Sequence, residues 1–292
     1  MLQRIEEFSS FLTYNNELSE NKQLVLFDNV QFIYELALAQ LELHALGVKF
    51  EVTNGLREFK LLEVEDEEEL RRRLAYFKFV KGKPTDYFQI IQKNRTRSVN
   101  QYLTHWIYPY KGKFHPQMIR ALLNIIGIKQ GETILDPFIG SGTTALEAQL
   151  LGINCIGIDI SPLCVIQSRV KTESLDAFSE IIEWKEEITR SIKPSLFNVE
   201  GKTIDNIIET IPNEKVKNFY KMAKLVAVSD NARRGKNFSQ SFLKNLELMI
   251  ASVSDYIEIS KKLNLKLGKT DIRIGDSRSL NLENDSIDGI RI

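Results

Sequence analysis

The 292-residue sequence holds two cysteines, Cys155 and Cys164, and three histidines spread far apart. Two thiols cannot form a disulfide framework or a four-cysteine zinc site. With no histidine cluster, no metal centre is expected. No apolar run approaches the roughly 18 residues of a membrane span. The opening MLQRIEEFSSFLTYNN lacks the apolar stretch of a secretory signal. Charge of either sign is also missing in excess, since 39 basic residues meet 39 acidic ones. A polyanion-binding surface would therefore have to be local. These absences predict a soluble cytoplasmic protein kept in a reducing compartment. The apolar fraction of 43% is ordinary for a folded chain with a sizeable core.

The first third reads as a small α+β region over 1–82. Leu24–Phe27 is a short strand, and Phe32–Gly47 has helical apolar spacing with Gly47 as a stop. Val48–Thr53 and Phe59–Val64 read as strands. EDEEELRRRLAYFKFV predicts a helix from about Glu67 towards Phe79, acidic first and basic later. KGKPTDYFQ has the Gly and Pro of a linker. A connector over 83–113 follows, in which Lys93, Arg95, Arg97, Lys111 and Lys113 alternate with Tyr102, Trp106, Tyr108 and Tyr110. Such mixing suits either nucleic-acid contact or a segment packed on the next domain, and the second is favoured.

From residue 114 onward the order becomes strand, helix, strand, helix. MIRALLNIIGI, ETILD, TTALEAQLLG, NCIGIDI and SPLCVIQSRVK alternate in the way that builds a parallel sheet. The fold class is α/β, a Rossmann-like parallel-sheet domain over 114–292, with a helical insertion at about 174–266. That insertion is too long for a loop. Its Arg233, Arg234 and Lys236 beside Phe238 read either as a target-recognition surface or, preferably, as an exposed turn between helices. Asp271 onward returns to strand and turn, and SIDGIRI begins another strand.

The chemistry is concentrated in LDPFIGSGTT, Leu135 to Thr144. A buried strand delivers Asp136 to the carboxyl edge of the sheet. Gly140, Ser141 and Gly142 form a turn that a ligand can approach closely, and Thr143 opens a helix with free N–H groups. The glycine spacing is not that of a P-loop or of the dinucleotide fingerprint. Asp159 ends the next strand, 23 residues after Asp136, where a carboxylate can accept two ribose hydroxyls. Asp276 follows a later strand, placed to accept from an adenine amine. Three carboxylates at successive strand ends suit an adenosine-bearing ligand with a positive or zwitterionic tail.

FHPQMIRALL, DPFIGSGTT and GIDISP together resemble the cofactor-binding half of the amino-directed (adenine-N6/cytosine-N4) DNA methyltransferases, class I enzymes that use S-adenosyl-L-methionine. The resemblance runs from about Lys113 to Pro162 and again from Asp271 to Ile290. It implies that Phe114, His115 and Pro116 line the methionine end. It also implies that Asp136, Phe138, Gly140 and Gly142 hold the methionine portion, Asp159 the ribose and Asp276 the adenine, with Ser141, Thr143 and Ile160 among the cofactor-binding residues. His115 also reads as a helix cap. It implies DNA as the partner more than RNA. The front end also resembles, weakly, archaeal-type tRNA guanine methyltransferases with an RNA-binding front domain.

That family holds the acceptor amine with an Asp, Asn or Ser followed by Pro-Pro and an aromatic, after a strand like SIDGI. The 292 residues contain no Pro-Pro pair, so no catalytic residue is assigned. The expectation is a truncated or split enzyme, completed in the second case by another polypeptide, with a non-catalytic cofactor-binding or regulatory subunit as the remaining reading. Arg291 is expected in a central strand, where a charge is costly without a partner.

Overall fold

A computed structural model describes residues 24–53, 55, 57–96, 98–192 and 204–291. The opening segment tested for a signal, Arg97 of the connector and Ile292 lie outside them. The chain divides into two compact units, Met1–Gln92 with His115–Ile128, and Lys93–Phe114 with Lys129–Ile292.

The first unit holds an antiparallel sheet in the order β2-β3-β1-β4-β5, from β1 (Leu24–Leu26), β2 (Lys49–Thr53), β3 (Glu58–Glu63), β4 (Phe77–Val80) and β5 (Lys83–Pro84). Its helices are α1 (Ile33–Ala45), α2 (Glu67–Arg73), α3 (Asp86–Ile91) and α4 (Pro116–Ile126). The helix expected to run towards Phe79 stops at Arg73. Leu74 turns to extended backbone, and Phe77 and Val80 are buried in a strand instead. Tertiary burial of the FKFV aromatics overrides the helical run of charges before them. The expected linker at 81–89 carries β5 and α3, the latter capped by Thr85 Oγ1 on the Phe88 N–H.

Glu42 of α1 is fully buried in this unit. It accepts from the Ala75 N–H (2.7 Å) and from Asn124 Nδ2 (2.6 Å). Arg73 Nε in turn donates to Asn124 Oδ1 (2.8 Å). Burial raises the Glu42 carboxyl to about 7.

The second unit is the α/β domain. Among the described residues its sheet has four strands, all parallel, in the order β8-β7-β6-β9: β6 (Thr133–Asp136), β7 (Asn154–Asp159), β8 (Thr270–Ile274) and β9 (Gly289–Ile290). The crossovers are α5 (Thr143–Leu150) and α6 (Pro162–Glu173). Asp136 and Asp159 both end their strands, so the parallel register brings two carboxylates to one edge. This is the Rossmann-like architecture, with β9 at the edge of the described strands rather than in the centre.

Between α6 and β8 come α7 (Phe178–Ile192), α8 (Ile204–Thr210), α9 (Glu214–Arg234) and α10 (Phe238–Lys262). Their apolar faces share a core around Phe219, Tyr220, Phe242 and Met249. Phe238 packs against that core, and Asp230 pairs with Arg234 (3.4 Å) and Lys236 (3.2 Å) at the turn capped by Gly235. A capped turn between helices accounts for the basic cluster.

Candidate functional site

β6 carries Asp136 into the sheet edge because Ile134 and Leu135 are buried on either side. The chain then turns through Pro137–Gly142 and enters α5. Asp136 Oδ1 accepts from the Phe138 N–H (3.0 Å), which fixes the start of the turn. Asp159, from β7, fixes its far side: Oδ2 accepts from the Gly140 N–H (2.9 Å) and Oδ1 from the Ser161 N–H (2.9 Å). Each carboxylate oxygen keeps a second lone pair for a ligand hydroxyl.

Gly142 has φ +77, a left-handed conformation that opens α5. A side chain there would stand 2.7 Å from Ser168 Oγ and 2.9 Å from Ser168 Cα. α6 therefore lies directly behind the turn. Two residues of α6 also hold the turn's carbonyls. Ser168 Oγ donates to the Gly140 carbonyl (3.1 Å) and Lys171 Nζ to the Ser141 carbonyl (2.7 Å). Spaced three apart, they share one helix face. Burial drives the Lys171 amine well below its usual range.

Two crevices open beside the turn. One, of about 470 Å³, is lined by Tyr110, Phe114, Gly140, Ser141, Thr143 and Arg291, among others. The other, of about 490 Å³, is lined by Pro137, Asp159, Ile160, Gly275, Asp276 and Arg278, among others. Phe138, 59% exposed, borders both. The Arg278 guanidinium 2.5 Å from Asp276 holds that carboxyl below its ordinary range. The structure thus gathers Phe114, Asp136, Phe138, Gly140, Ser141, Gly142, Thr143, Asp159, Ile160 and Asp276 around one sheet edge. His115 and Pro116 belong to the first unit, where they are the N-cap and first residue of α4. His115 makes no side-chain capping bond. Among the described residues no group of His, Cys, Asp and Glu could hold a metal ion. Both cysteines are buried free thiols, and burial pushes the Cys155 thiol up, away from nucleophilic use.

Residues 43–168 match the family described as DNA methylase. Over these residues the chain resembles the amino-methyltransferases. The type II methyltransferase M.BsoBI of Geobacillus stearothermophilus is 46% identical over 92 residues, 29% of this chain and 18% of that protein. M.MjaII of Methanocaldococcus jannaschii is 45% identical over 85 residues, 29% of this chain and 15% of that protein. A tRNA (guanine(10)-N2)-dimethyltransferase of the same organism is 29% identical over 127 residues, 44% of this chain and 33% of that protein. The chain therefore matches less than a fifth of the length of the two type II methyltransferases.

Three site features were not assigned from sequence. Tyr110, read only as part of a connector, places its ring 3.5 Å from where a Gly140 side chain would begin. Ser168 and Lys171 had helical spacing as their only signal. Arg291, expected in a central strand where a charge is costly without a partner, has two: Nη1 lies 3.1 Å from Asp136 Oδ2, and Cζ lies 4.2 Å from the centre of the Phe114 ring.

The basic-aromatic connector is engaged internally. Tyr102 and His105 bond to Glu147, and Trp106 donates to Ser252 (2.8 Å). Arg95 pairs with Asp255 (2.5 Å) and Lys93 with Glu258 (2.8 Å). Lys113 donates to the carbonyls of Asn100 and His105, and burial lowers its amine to about 8. These contacts favour the packed-segment reading. No helix of the described residues is long and apolar enough to cross a membrane.

Proposed function

We propose that this domain binds S-adenosyl-L-methionine across the two crevices and serves a methyltransferase that acts on an exocyclic amine of a DNA base. One observation carries the reading: Phe138 stands between a crevice with two carboxylates, Asp159 and Asp276, and one framed by Tyr110, Phe114 and the Gly140–Thr143 turn. The donor set fits the group. Asp159 has lone pairs for the ribose hydroxyls and Asp276 lies beside it for the adenine end. A turn of Gly, Ser and Gly leaves room for the amino-acid tail beside Asp136. When bound, the group supplies an activated methyl on a sulfonium.

The chain's own residues bind and orient. Asp159 holds the turn through the Gly140 N–H while facing the ligand. Asp136 is buried at the end of its strand, and Phe114 and Phe138 are exposed crevice walls. Fixing the methyl donor in this way lowers the entropy of the encounter with an amine. In this reading the string that holds the amine is supplied from outside these 292 residues, which contain no Pro-Pro pair. DNA is the proposed partner, and the cytoplasm the proposed compartment.

Calorimetry with S-adenosylmethionine and S-adenosylhomocysteine tests the binding step. Wild-type protein should bind with micromolar affinity and Asp159→Ala at least about tenfold more weakly, since two ribose hydrogen bonds are lost. Methyl incorporation, assayed on DNA and on tRNA after the amine-binding string is supplied, tests the substrate. The similarity to a tRNA (guanine(10)-N2)-dimethyltransferase, 29% identical over 127 residues, supports RNA as the second reading. Label appearing in tRNA alone would replace the DNA reading by that one.

A further inference from the structure

We propose that the outward face of α1 joins two copies of this chain, helix against antiparallel helix, into a two-fold dimer. A surface helix ordinarily turns its charged residues to water. α1 does the reverse. Its charged residues are Glu35 and Glu42, and both are buried. Glu35 accepts from the N–H groups of Gln31 (2.8 Å) and Phe32 (3.0 Å), and Glu42 from Ala75 and Asn124. Leu36, Ala39 and Leu43 complete the buried side. The opposite side exposes Ile33, Tyr34, Ala37, Leu41, His44 and Ala45, with no carboxylate, ammonium or guanidinium among them.

The face is large enough for a stable pair. Ile33 is 84% exposed, and Phe32, Tyr34 and Leu41 are 50% to 60% exposed. Together these four leave roughly 400–500 Å² of largely apolar surface in water, a patch of the size that marks an interaction site. A standard interface covers about 800 Å² per partner, a little over half of it apolar. The patch also complements itself. Its bulk lies at one end, where the Phe32 and Tyr34 rings stack with centroids 5.6 Å apart. Its other end is small: Ala45, then Gly47, where a Cβ would meet nothing within 4 Å. A two-fold axis crossing midway between Ala37 and Leu41 pairs Ile33 of one copy with Ala45 of the other, Tyr34 with His44, and Ala37 with Leu41. Each contact then occurs twice. A parallel pair would instead crowd the two aromatic ends together. With no charge on the face to select a foreign partner, a second copy is the partner whose shape matches at both ends.

The test is sedimentation equilibrium on the full chain at concentrations up to about 200 μM. Wild-type protein should dimerise with a Kd of about 1–50 μM. That Kd should change less than about threefold between low and high salt, because no ion pair crosses the face. Leu41→Glu brings two carboxylates to the axis and should weaken dimerisation at least about 100-fold. Ile33→Glu should weaken it about tenfold or more, and adding Ala45→Lys should recover at least about fivefold. Residues 33 and 45 of one helix stand about 18 Å apart, so only the other copy can pair them. All three positions are exposed, and each variant should melt cooperatively. Should Leu41→Glu not do so, the Ile33→Glu variant and its Ala45→Lys rescue decide. A monomeric wild type at the highest concentration overturns the proposal and leaves the face to a different protein or to another stretch of this chain. A dimer indifferent to Leu41→Glu and Ile33→Glu, or no recovery with Ala45→Lys, overturns it as well.

Discussion

Gly142→Ala separates two costs that usually travel together. Gly142 has φ +77, and a Cβ there would come within 2.9 Å of Ser168 Cα, which is backbone and cannot swing away. Gly131, in the same unit, has φ +86 with nothing within 4 Å of a Cβ. Alanine at Gly131 therefore meets only the left-handed backbone, about 1 kcal/mol. Alanine at Gly142 meets that and must also push α6 back, an overpacking cost of about 1–3 kcal/mol. It also strains the bond from Ser168 Oγ to the Gly140 carbonyl, which contributes about 1 kcal/mol. Urea denaturation should show Gly142→Ala destabilised by about 2–5 kcal/mol and Gly131→Ala by about 1 kcal/mol. Calorimetry should show S-adenosylhomocysteine binding weakened more than about tenfold only in Gly142→Ala, because the turn moves with the helix. Equal destabilisation of the two variants would refute the steric reasoning.

Glu42 sets a pH dependence in the first unit. Its folded pKa of about 7 lies above the ordinary 4.5, so the native state keeps a proton that the unfolded chain releases. Stability should fall by up to about 3 kcal/mol as pH rises from about 4.5 to 7 and level off above that. Glu42→Gln should flatten that span in urea titrations; an unchanged slope would assign the proton elsewhere. Lys171 has a depressed amine pKa, so its contribution to stability rises with pH towards 10 and is lost as pH falls. Lys171→Met should flatten that rise and leave stability at pH 7 equal or higher, while cofactor-analogue binding weakens several-fold through the freed Ser141 carbonyl. Asp159→Asn keeps one acceptor oxygen, so it should bind S-adenosylhomocysteine more tightly than Asp159→Ala but below wild type. Identical affinities for these two variants would remove the carboxylate from ligand binding.

The α/β order, the ends of β6 and β7 and the composition of the turn were legible before any coordinates, because period-2 and period-3.6 apolar spacing and Gly-rich punctuation are local signals. Asp136 and Asp159 were legible as a pair, since parallel strands joined by a crossover must end at the same edge. Less local features escaped. The helix from Glu67 was overextended because the aromatics of Phe77–Val80 choose a strand only when β1 is there to pair with them. The segment 93–113 was favoured as packed on the next domain, but what it packs on was not legible. Its partners, Glu147, Ser252 and Asp255, lie 42 to 160 residues away in sequence.

The sequence by itself determined the strand and helix order around the site, the Gly-rich turn and the carboxylates at the sheet edge, because each is written in residues adjacent along the chain. Only the tertiary structure decided which charges meet at that turn. It placed Lys171 behind Ser141 and gave Arg291 both Asp136 and Phe114. Such pairings depend on strand order and helix packing, and a charge without its partner cannot be read for sign or strength.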